Sequence, residues 1–240
     1  MRALINRDGP DPSTAAGLHD RYRPGDRRWV RAGMITSVDG SATAGGLSGG
    51  LGSAADQQVL STLREHADVV LVGAGTVRAE RYGAFRPGRE RQQRRLADGR
   101  AQAPRLAVVG RATGWTGQEP WVTGAATPPL LVTAAAGAAD VPGCETVVAG
   151  TSAVSLASTM TELAERGLLS VLCEGGPRLL GRLVGEDLLD ELCVTFSPLL
   201  VGPGTARIVA GESWQHQHRM RLADLLEDDG LLFCRYVRVR

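Results

Sequence analysis

Short runs of apolar residues recur along this chain and alternate with segments of helical periodicity. The runs are WVRAGMITSV, DVVLVG, RLAVVG, PLLVT, ETVVAG, LLSVLCEGG and ELCVTFSPLLVG. Strands buried on both faces of a parallel sheet have continuous apolar sequences, whereas half-exposed strands alternate with polar residues. The pattern therefore predicts an α/β fold with a largely parallel sheet that helices cover on both faces.

Three helices are predicted from apolar spacing and from residues that favour helix ends. The first lies between residues 53 and 67, where Ser53 and Asp56 form an N-terminal cap of the capping-box type. The second spans residues 155–166 and has a probable C-terminal glycine at Gly167. The third begins at Pro177, which suits the first helical position because it has no N–H group to leave unpaired.

The two ends of the chain differ from this central pattern. Residues 1–27 are rich in Gly, Pro, Asp and Arg without periodicity, so we expect a flexible, extended lead-in or a flap, followed by a single domain over residues 28–240. Near the C-terminus, the segments MRLADLL and LLFCRYVRVR flank the turn sequence DDG. They predict an antiparallel hairpin at the edge of the sheet, which makes the sheet mixed.

Composition excludes several classes of function. Hydrophobic residues make up 43% of the chain and charged residues 22%, as in ordinary globular domains. Lys and Arg number 27 against 26 Asp and Glu, so no overall field favours nucleic acid or an anionic membrane as a partner. The N-terminus lacks the apolar stretch of a signal peptide, and no long apolar segment follows, so we expect a cytoplasmic location.

Three polar features have ordinary interpretations. The arginine-rich residues 85–104 have almost no aromatic residues to stack bases, and we interpret them as an exposed turn or short helix with a solvated face. The four cysteines are far apart and read as reduced core thiols. His216 and His218 form an HxH pair, but the neighbouring sequence offers no further metal ligand, so no metal site is predicted.

Three glycine-containing turns each follow a predicted strand: residues 73–77 (GAGTV), residues 174–176 (EGG) and residues 110–111 (GR). Glycine lets the backbone approach a ligand, and the N–H groups of a following helix bind phosphate. Ligands of open α/β sheets collect at the carboxyl ends of the strands, so the turns predict a phosphate-bearing ligand there. Tight turns without a ligand and a solvated Arg111 are the alternatives.

Two other nucleotide-binding folds are disfavoured. Residue 78 is Arg, so the GxGxxG motif of Rossmann domains is incomplete, and the GxxxxGK motif of P-loop domains does not occur.

The first predicted strand ends at Asp39 and Gly40 in the sequence MITSVDG. A carboxylate at a strand end can orient the amino groups of a heterocycle or help to protonate it. The alternative is an Asx turn, since Asp-Gly is a common turn pair. No Ser-His-Asp, Cys-His or paired-carboxylate arrangement stands out, so a hydride from a cofactor is the simplest chemistry.

Four motifs occur in order: SxDG, LRxxAD followed by VLVGAGTV, EGGPxLLxxL and LxDEL. From about Trp29 to the C-terminus, they make the chain resemble the C-terminal reductase domain of bacterial riboflavin-biosynthesis deaminase/reductases and its stand-alone relatives. The resemblance implies a dihydrofolate-reductase-like fold, NADPH as hydride donor and a homodimer. The deaminase motifs HxE and PCxxC do not occur in this sequence, so the resemblance implies no deamination.

The resemblance also implies roles for individual residues. Asp39 is expected beside nicotinamide and substrate, as the catalytic residue that orients the substrate or supplies a proton, and Glu174 is expected to bind substrate. Arg111 is expected to reach the 2′-phosphate of NADPH. The full set of implied cofactor-binding residues is Ala42, Gly73, Gly75, Thr76, Gly110, Arg111, Gly175, Gly176, Arg178 and Leu179.

The sequence departs from the family pattern where a substrate phosphate would bind. Family members carry a basic residue after SxDG and an Arg in the next helix, and this chain has Ser41 and Gln57 there. The segment RAERYGAFRPG after GAGTV also lacks the acidic-acidic-Pro pattern of the family, and Glu80 and Arg86 are the candidates to substitute there as substrate-binding residues.

The expected function is reduction of a ribosylaminopyrimidine phosphate, with hydride transfer from NADPH to C1 of its imine form. Reduction of dihydrofolate or another pteridine, with Asp39 pairing with the pterin amino group, is the alternative enzyme. A non-catalytic NADPH-binding protein that has lost the substrate pocket is the alternative from a different class.

Overall fold

A computed structural model describes residues 1–25 and 27–239 of the protein. Within these residues, ten strands form one mixed sheet. The strands are β1 (Arg2–Ile5), β2 (Trp29–Ser37), β3 (Val69–Gly73), β4 (Arg105–Val109), β5 (Leu130–Thr133), β6 (Glu145–Val148), β7 (Ser170–Cys173), β8 (Glu191–Ser197), β9 (Met220–Asp228) and β10 (Leu231–Arg238). The helices are α1 (Ala15–Arg21), α2 (Ala54–Glu65), α3 (Ala74–Ala79), α4 (Arg89–Ala97), α5 (Pro120–Thr123), α6 (Leu156–Glu165) and α7 (Pro177–Gly185).

The strands lie in the order β1-β9-β10-β8-β2-β7-β3-β4-β5-β6. The neighbours from β8 to β6 are parallel, whereas β8–β10, β10–β9 and β9–β1 are antiparallel. All seven predicted apolar runs contain strands, so the expectation of a mixed, mainly parallel α/β sheet is confirmed. Among the described residues, no helix is both long and apolar enough to span a membrane.

Both faces of the sheet are covered. In β3, Val70 and Val72 pack into a core with α2 and α3, while Val69 and Leu71 point to the opposite core, where α6 and α7 pack. All four side chains are fully buried, which explains why the strand is apolar at every position.

The three predicted helices begin at the predicted residues. Ser53 caps α2 by accepting a hydrogen bond from the Asp56 N–H, and Ser155 caps α6 in the same way from the Ser158 N–H. Pro177 is the first residue of α7. Local capping chemistry was therefore sufficient to locate these helix starts.

The prediction of an extended lead-in without regular structure is wrong. β1 pairs with β9, and α1 buries Leu18 completely in the core beside Tyr22. Arg21 at the end of α1 forms a buried ion pair with Asp224 of β9, with 2.9 Å between Nη1 and Oδ2. The C-terminal hairpin is present, but it does not form the edge of the sheet, because β1 covers β9.

The arginine-rich segment also differs from the expected solvated face. It contains α4, and Arg95 in that helix is fully buried. The Arg95 guanidinium donates hydrogen bonds to the carbonyl groups of Arg64, Glu65 and Ala67 at the end of α2, with N···O distances of 2.7–2.9 Å. The last carbonyl groups of a helix lack their usual partners one turn further on, so the charged Arg95 side chain satisfies acceptors at the C-terminus of α2.

Candidate functional site

A cavity of about 760 Å³ opens at the carboxyl ends of the central parallel strands. Its walls include the ends of β3 and β4, the turn after β7, and residues of β2 and β8. The first residues of α2, α3 and α7 complete it. A crevice at the carboxyl edge of an open α/β sheet is where such folds bind their ligands.

Two of the predicted glycine turns contact each other at one end of this cavity. The Gly73 N–H donates a hydrogen bond to the Gly175 carbonyl, with an N···O distance of 2.8 Å. A Cβ atom on Gly176 would lie 2.6 Å from Thr76 Oγ1, so this position has no room for a side chain. Gly175 has a φ of +90°, which also favours glycine. We refer to residues 73–76 and 175–179 as the glycine cradle.

The glycine cradle offers a favourable environment for an anion. Gly176 is the N-cap of α7 and makes no side-chain cap hydrogen bond, while Arg178 and Leu179 of the first turn line the cavity. The positive end of the α7 dipole therefore faces the cavity, together with the Arg178 side chain. Gly75 leaves open space at its Cβ position, so a ligand can approach the backbone there.

Asp56, in the first turn of α2, also lines the cavity. It is half-buried; burial raises the pKa of its carboxyl group, and a hydrogen bond with the Thr195 hydroxyl partly counteracts this effect. The sequence analysis assigned Asp56 to helix capping alone. Its N–H does fill that role, but its side chain lines the cavity.

Glu174, predicted to bind substrate, lines the cavity but is already engaged in the protein. Its two carboxylate oxygens accept hydrogen bonds from Arg64 Nε and Nη2, each at 2.7 Å, and from the Tyr82 hydroxyl, also at 2.7 Å. Burial and the charge of Glu174 raise the pKa of Tyr82. Burial lowers the pKa of Arg64, but the charge of Glu174 outweighs it and raises that pKa overall. This triad fixes the turn before the glycine cradle, and its members Arg64 and Tyr82 were not found from the sequence.

Asp39, the predicted catalytic residue, is not among the residues that line the cavity. It is exposed and accepts hydrogen bonds from the Ser37 hydroxyl and from the N–H groups of Val201 (3.0 Å) and Gly202 (2.8 Å). The Ser37 bond, followed by the Gly202 and Val201 bonds, lowers the pKa of Asp39. In this structure Asp39 connects the end of β2 to the loop that follows β8.

The remaining predicted residues fall into two groups. Those that line the cavity are Ala42, Gly73, Gly75, Thr76, Glu80, Gly176, Arg178 and Leu179. Glu80 also accepts a hydrogen bond from the Ser48 N–H at 2.8 Å. Arg86, Gly110, Arg111 and Gly175 lie outside the lining. Arg86 lines a separate cavity of about 180 Å³, and a Cβ atom on Gly110 would collide with Ala74, which gives this glycine a packing role.

The mixed sheet order and a cavity lined by the glycine cradle at the carboxyl edge of the strands define an α/β protein with a dihydrofolate-reductase-like fold. The model of the RibD C-terminal domain family matches residues 28–231. The chain therefore belongs to the RibD C-terminal domain family, and the resemblance seen in its motifs is confirmed.

Individual relatives agree with this assignment. The chain is 24% identical over 188 residues to the 2,5-diamino-6-ribosylamino-4(3H)-pyrimidinone 5′-phosphate reductase of Archaeoglobus fulgidus, covering 76% of this chain and 86% of that protein. It is 30% identical over 197 residues to the riboflavin biosynthesis protein RibD of Bacillus amyloliquefaciens, covering 78% of this chain. The chain spans 50% of the length of the Bacillus protein.

Solved structures show the same fold. A pyrimidine reductase-like protein from Corynebacterium diphtheriae has a TM-score of 0.76 at 28% identity, and the match covers 89% of this chain and 92% of that one. The riboflavin biosynthesis reductase Rib7 of Saccharomyces cerevisiae matches with a TM-score of 0.66 at 18% identity, covering 95% and 99% of the two chains. The second likeness supports the fold alone.

Proposed function

We propose that this chain is an NADPH-dependent reductase of an aminopyrimidine, acting on a ribosylaminopyrimidine of riboflavin biosynthesis by hydride transfer to C1 of its imine form. The observation that carries the proposal is one cavity that both the glycine cradle and Asp56 line. The printed activity of the Archaeoglobus fulgidus relative supports this choice of substrate class.

The glycine cradle fits the pyrophosphate of a nicotinamide dinucleotide. Gly75 leaves the backbone accessible, and the first turn of α7 directs its dipole and the Arg178 side chain towards the cavity. When bound, NADPH supplies the hydride. The protein's part is to hold the donor and the substrate at a fixed distance in a cavity with apolar walls, which include Met34, Leu60 and Val194.

Asp56 recognises the aminopyrimidine. A carboxylate accepts charge-assisted hydrogen bonds from amino and ring N–H groups, and these bonds are stronger than those between neutral groups. Thr195, whose hydroxyl lowers the pKa of the Asp56 carboxyl group, lines the same cavity. Asp56 therefore takes over the substrate-pairing role that the sequence analysis gave to Asp39, which serves instead to hold two loops together.

Reduction of a pteridine is the second candidate, and one observation favours it. Within residues 1–25 and 27–239, the cationic side chains that line the cavity are Arg178 and Arg182, both on α7 beside the glycine cradle. Arg182 is already bound to Glu186 and to the Val154 carbonyl. Gln57 and Ser48, which also line the cavity, offer a substrate phosphate neutral donors only. A pteridine shares the aminopyrimidine edge that Asp56 pairs with and carries no phosphate.

The test follows NADPH oxidation by the purified protein with a ribosylaminopyrimidine, its 5′-phosphate and dihydrofolate in parallel. Asp56→Asn keeps the shape of the side chain and removes its charge. We expect kcat/KM for the preferred substrate to fall roughly 10- to 150-fold, as for loss of a hydrogen bond to a charged group, while the KM for NADPH stays unchanged.

Asp39→Asn is the matched control, since Asp39 does not line the cavity, and we expect a smaller change in kcat/KM. Wild-type kcat/KM in Asp56→Asn would refute the assigned role of Asp56. Absence of NADPH oxidation with all three substrates would refute the proposed reaction.

The homodimer implied by the family resemblance stays a prediction, which the mass of the protein in solution would test.

A further inference from the structure

The structure assembles a group of potential metal ligands away from the cavity. His216 and His218 belong to the long loop between β8 and β9, and Asp187 follows α7. One potential ligand atom from each residue lies within 4.8 Å of the others. The sequence analysis dismissed the HxH pair because no third ligand was near it in the chain. The fold supplies that ligand from a distant segment.

Two of the three residues are held in place. The His218 side chain is only 8% exposed, and its Nδ1 lies 3.2 Å from Asp187 Oδ1. The edge of Trp214 packs against His218 with 5.3 Å between ring centroids, and Trp214 Nε1 donates a hydrogen bond to the Gly181 carbonyl of α7 at 3.0 Å. Arg238 binds the Asp187 carboxylate and also its carbonyl oxygen.

His216 is exposed, and its ring centroid lies 5.0 Å from that of His218. An exposed imidazole can rotate towards an ion without disturbing the core. The recorded contacts of the Asp187 carboxylate, with His218 and Arg238, both use Oδ1. An ion can therefore be bound through Oδ2, or it can displace Arg238 from Oδ1.

We propose that Asp187, His216 and His218 form a binding site for a divalent transition-metal ion, with Zn²⁺ as the best match. Two imidazole nitrogens and one carboxylate oxygen are a ligand set that zinc accepts, with water completing its tetrahedron. Imidazole also selects against Mg²⁺ and Ca²⁺, which prefer oxygen ligands.

Occupation of this site would restrain the loop that closes the large cavity. Ala206 and Ala210 of the same loop line that cavity. The Ala42 N–H donates a hydrogen bond to the Ala206 carbonyl at 2.7 Å, and the Ala210 N–H donates to the Pro177 carbonyl at 3.1 Å. An ion between the loop and Asp187 adds a further attachment to α7, beside the glycine cradle.

A second histidine group contains His19, His66 and Asp98, but its geometry is less suitable. His19 Nδ1 lies 2.8 Å from Glu65 and its Nε2 lies 3.2 Å from Asp98, while His66 Nε2 is 2.7 Å from the His19 carbonyl. Three of the four ring nitrogens thus have partners in the protein, and both rings are buried. This group serves as the competing location in the test.

The test is calorimetric titration of the full-length, metal-free chain with Zn²⁺. We expect one ion per chain, with affinity at least tenfold weaker in His216→Ala, His218→Ala and Asp187→Asn. Glu212→Gln, on the same exposed loop but outside the ligand set, is the matched control and should bind as the wild type does. Cu²⁺ should quench the fluorescence of Trp214, and Trp214→Phe should lose that quenching.

Failure of the wild-type protein to bind Zn²⁺ would overturn the proposal. Equal binding by the wild type and by His216→Ala would overturn it as well, because the ion would then occupy another place. Loss of binding in His19→Gln, with His216→Ala unaffected, would identify that place as the buried histidine group. Circular dichroism of each variant separates loss of a ligand from loss of folding.

Discussion

Gly176 and Gly75 of the glycine cradle differ in the space that a side chain would have. A Cβ atom at Gly176 would meet Thr76 Oγ1 at 2.6 Å, whereas a Cβ atom at Gly75 would meet nothing within 4 Å. Gly176 has a φ of −69°, which any residue adopts, so its requirement for glycine comes from the neighbouring side chain rather than from the backbone. The two positions therefore separate a packing role from a ligand-approach role.

Gly176→Ala is expected to destabilise the protein by about 1–3 kcal/mol, the usual cost of overpacking. Adding Thr76→Ala removes the opposing hydroxyl and should restore part of that loss in a double-mutant cycle followed by urea unfolding. Strict additivity of the two substitutions would show that the contact is not the cause.

Gly75→Ala is expected to preserve stability and to weaken cofactor binding. It lies in α3, where alanine is favoured over glycine by about 0.5–1 kcal/mol, so stability should stay equal or rise. The added methyl group enters the cavity, so NADPH should bind more weakly, as measured by fluorescence titration. Unchanged NADPH affinity would show that the cofactor does not approach this part of the backbone.

Residues at the junction of α1 and α2 make stability depend on pH. Burial, and then the charge of the neighbouring His19, lower the pKa of His66 to about 3. Burial raises the pKa of Glu65, but hydrogen bonds from His19, Arg94 and Arg91 outweigh it and lower that pKa to about 2. Both groups bind protons more readily in the unfolded chain, so both reduce stability as the pH falls.

His66 makes stability depend on pH between about pH 6.5, its pKa in the unfolded chain, and about pH 3, its pKa in the folded protein. In this window the free energy of unfolding should fall by about 1.4 kcal/mol per pH unit from this group. His66→Gln keeps a side-chain N–H for the His19 carbonyl and cannot titrate. Between pH 7 and pH 5.5, the free energy of unfolding measured with urea should fall by about 1 kcal/mol less in the variant than in the wild type. Equal losses would mean that His66 is not responsible.

At the scale of elements, the sequence predicted what depends on local chemistry. Apolar strands buried on both faces, the Ser53 cap and the Pro177 start follow from neighbouring residues and were correct. β1 and α1 were missed because a four-residue strand and a seven-residue helix are too short to show periodicity. They are defined by pairing with β9 and by core contacts, which are tertiary interactions.

The missed helix α1 should be essential to the core. Leu18→Ala removes a fully buried side chain and should cost about 2–5 kcal/mol in chemical unfolding. Leu96→Ala in α4, where the side chain is 51% exposed, is the control and should change stability by less than about 0.5 kcal/mol. A small effect of Leu18→Ala would mean that the first 25 residues pack only loosely in solution.

In the whole molecule, seven of the ten residues predicted to bind the cofactor line the cavity, against two of the four predicted to bind substrate. The glycine turns were recognisable because each follows a predicted strand. Asp56 and Arg64 lie in α2 and Tyr82 follows α3, so only the folded chain brings them to the cavity or to Glu174. Asp39 does not line the cavity, since a strand-end position does not fix where a side chain points, and its catalytic role stays a prediction.

The choice between NADPH and NADH is the remaining property of the whole molecule. A ligand at 100 times its Kd adds about 2.7 kcal/mol of stability, which for a chain of this size raises the melting temperature by roughly 5–10 °C. We expect this shift with NADPH and a smaller one with NADH at the same concentration.

Arg111 is exposed and does not line the cavity, but it follows β4 at the same edge of the sheet. A 2′-phosphate that projects from the cavity would extend towards this edge. If Arg111 binds that phosphate, Arg111→Ala should abolish the difference between the two cofactors without changing the melting temperature of the free protein. If the preference for NADPH survives the substitution, Arg178 becomes the candidate residue for binding the 2′-phosphate. The same measurement on an Arg178 variant then tests that assignment.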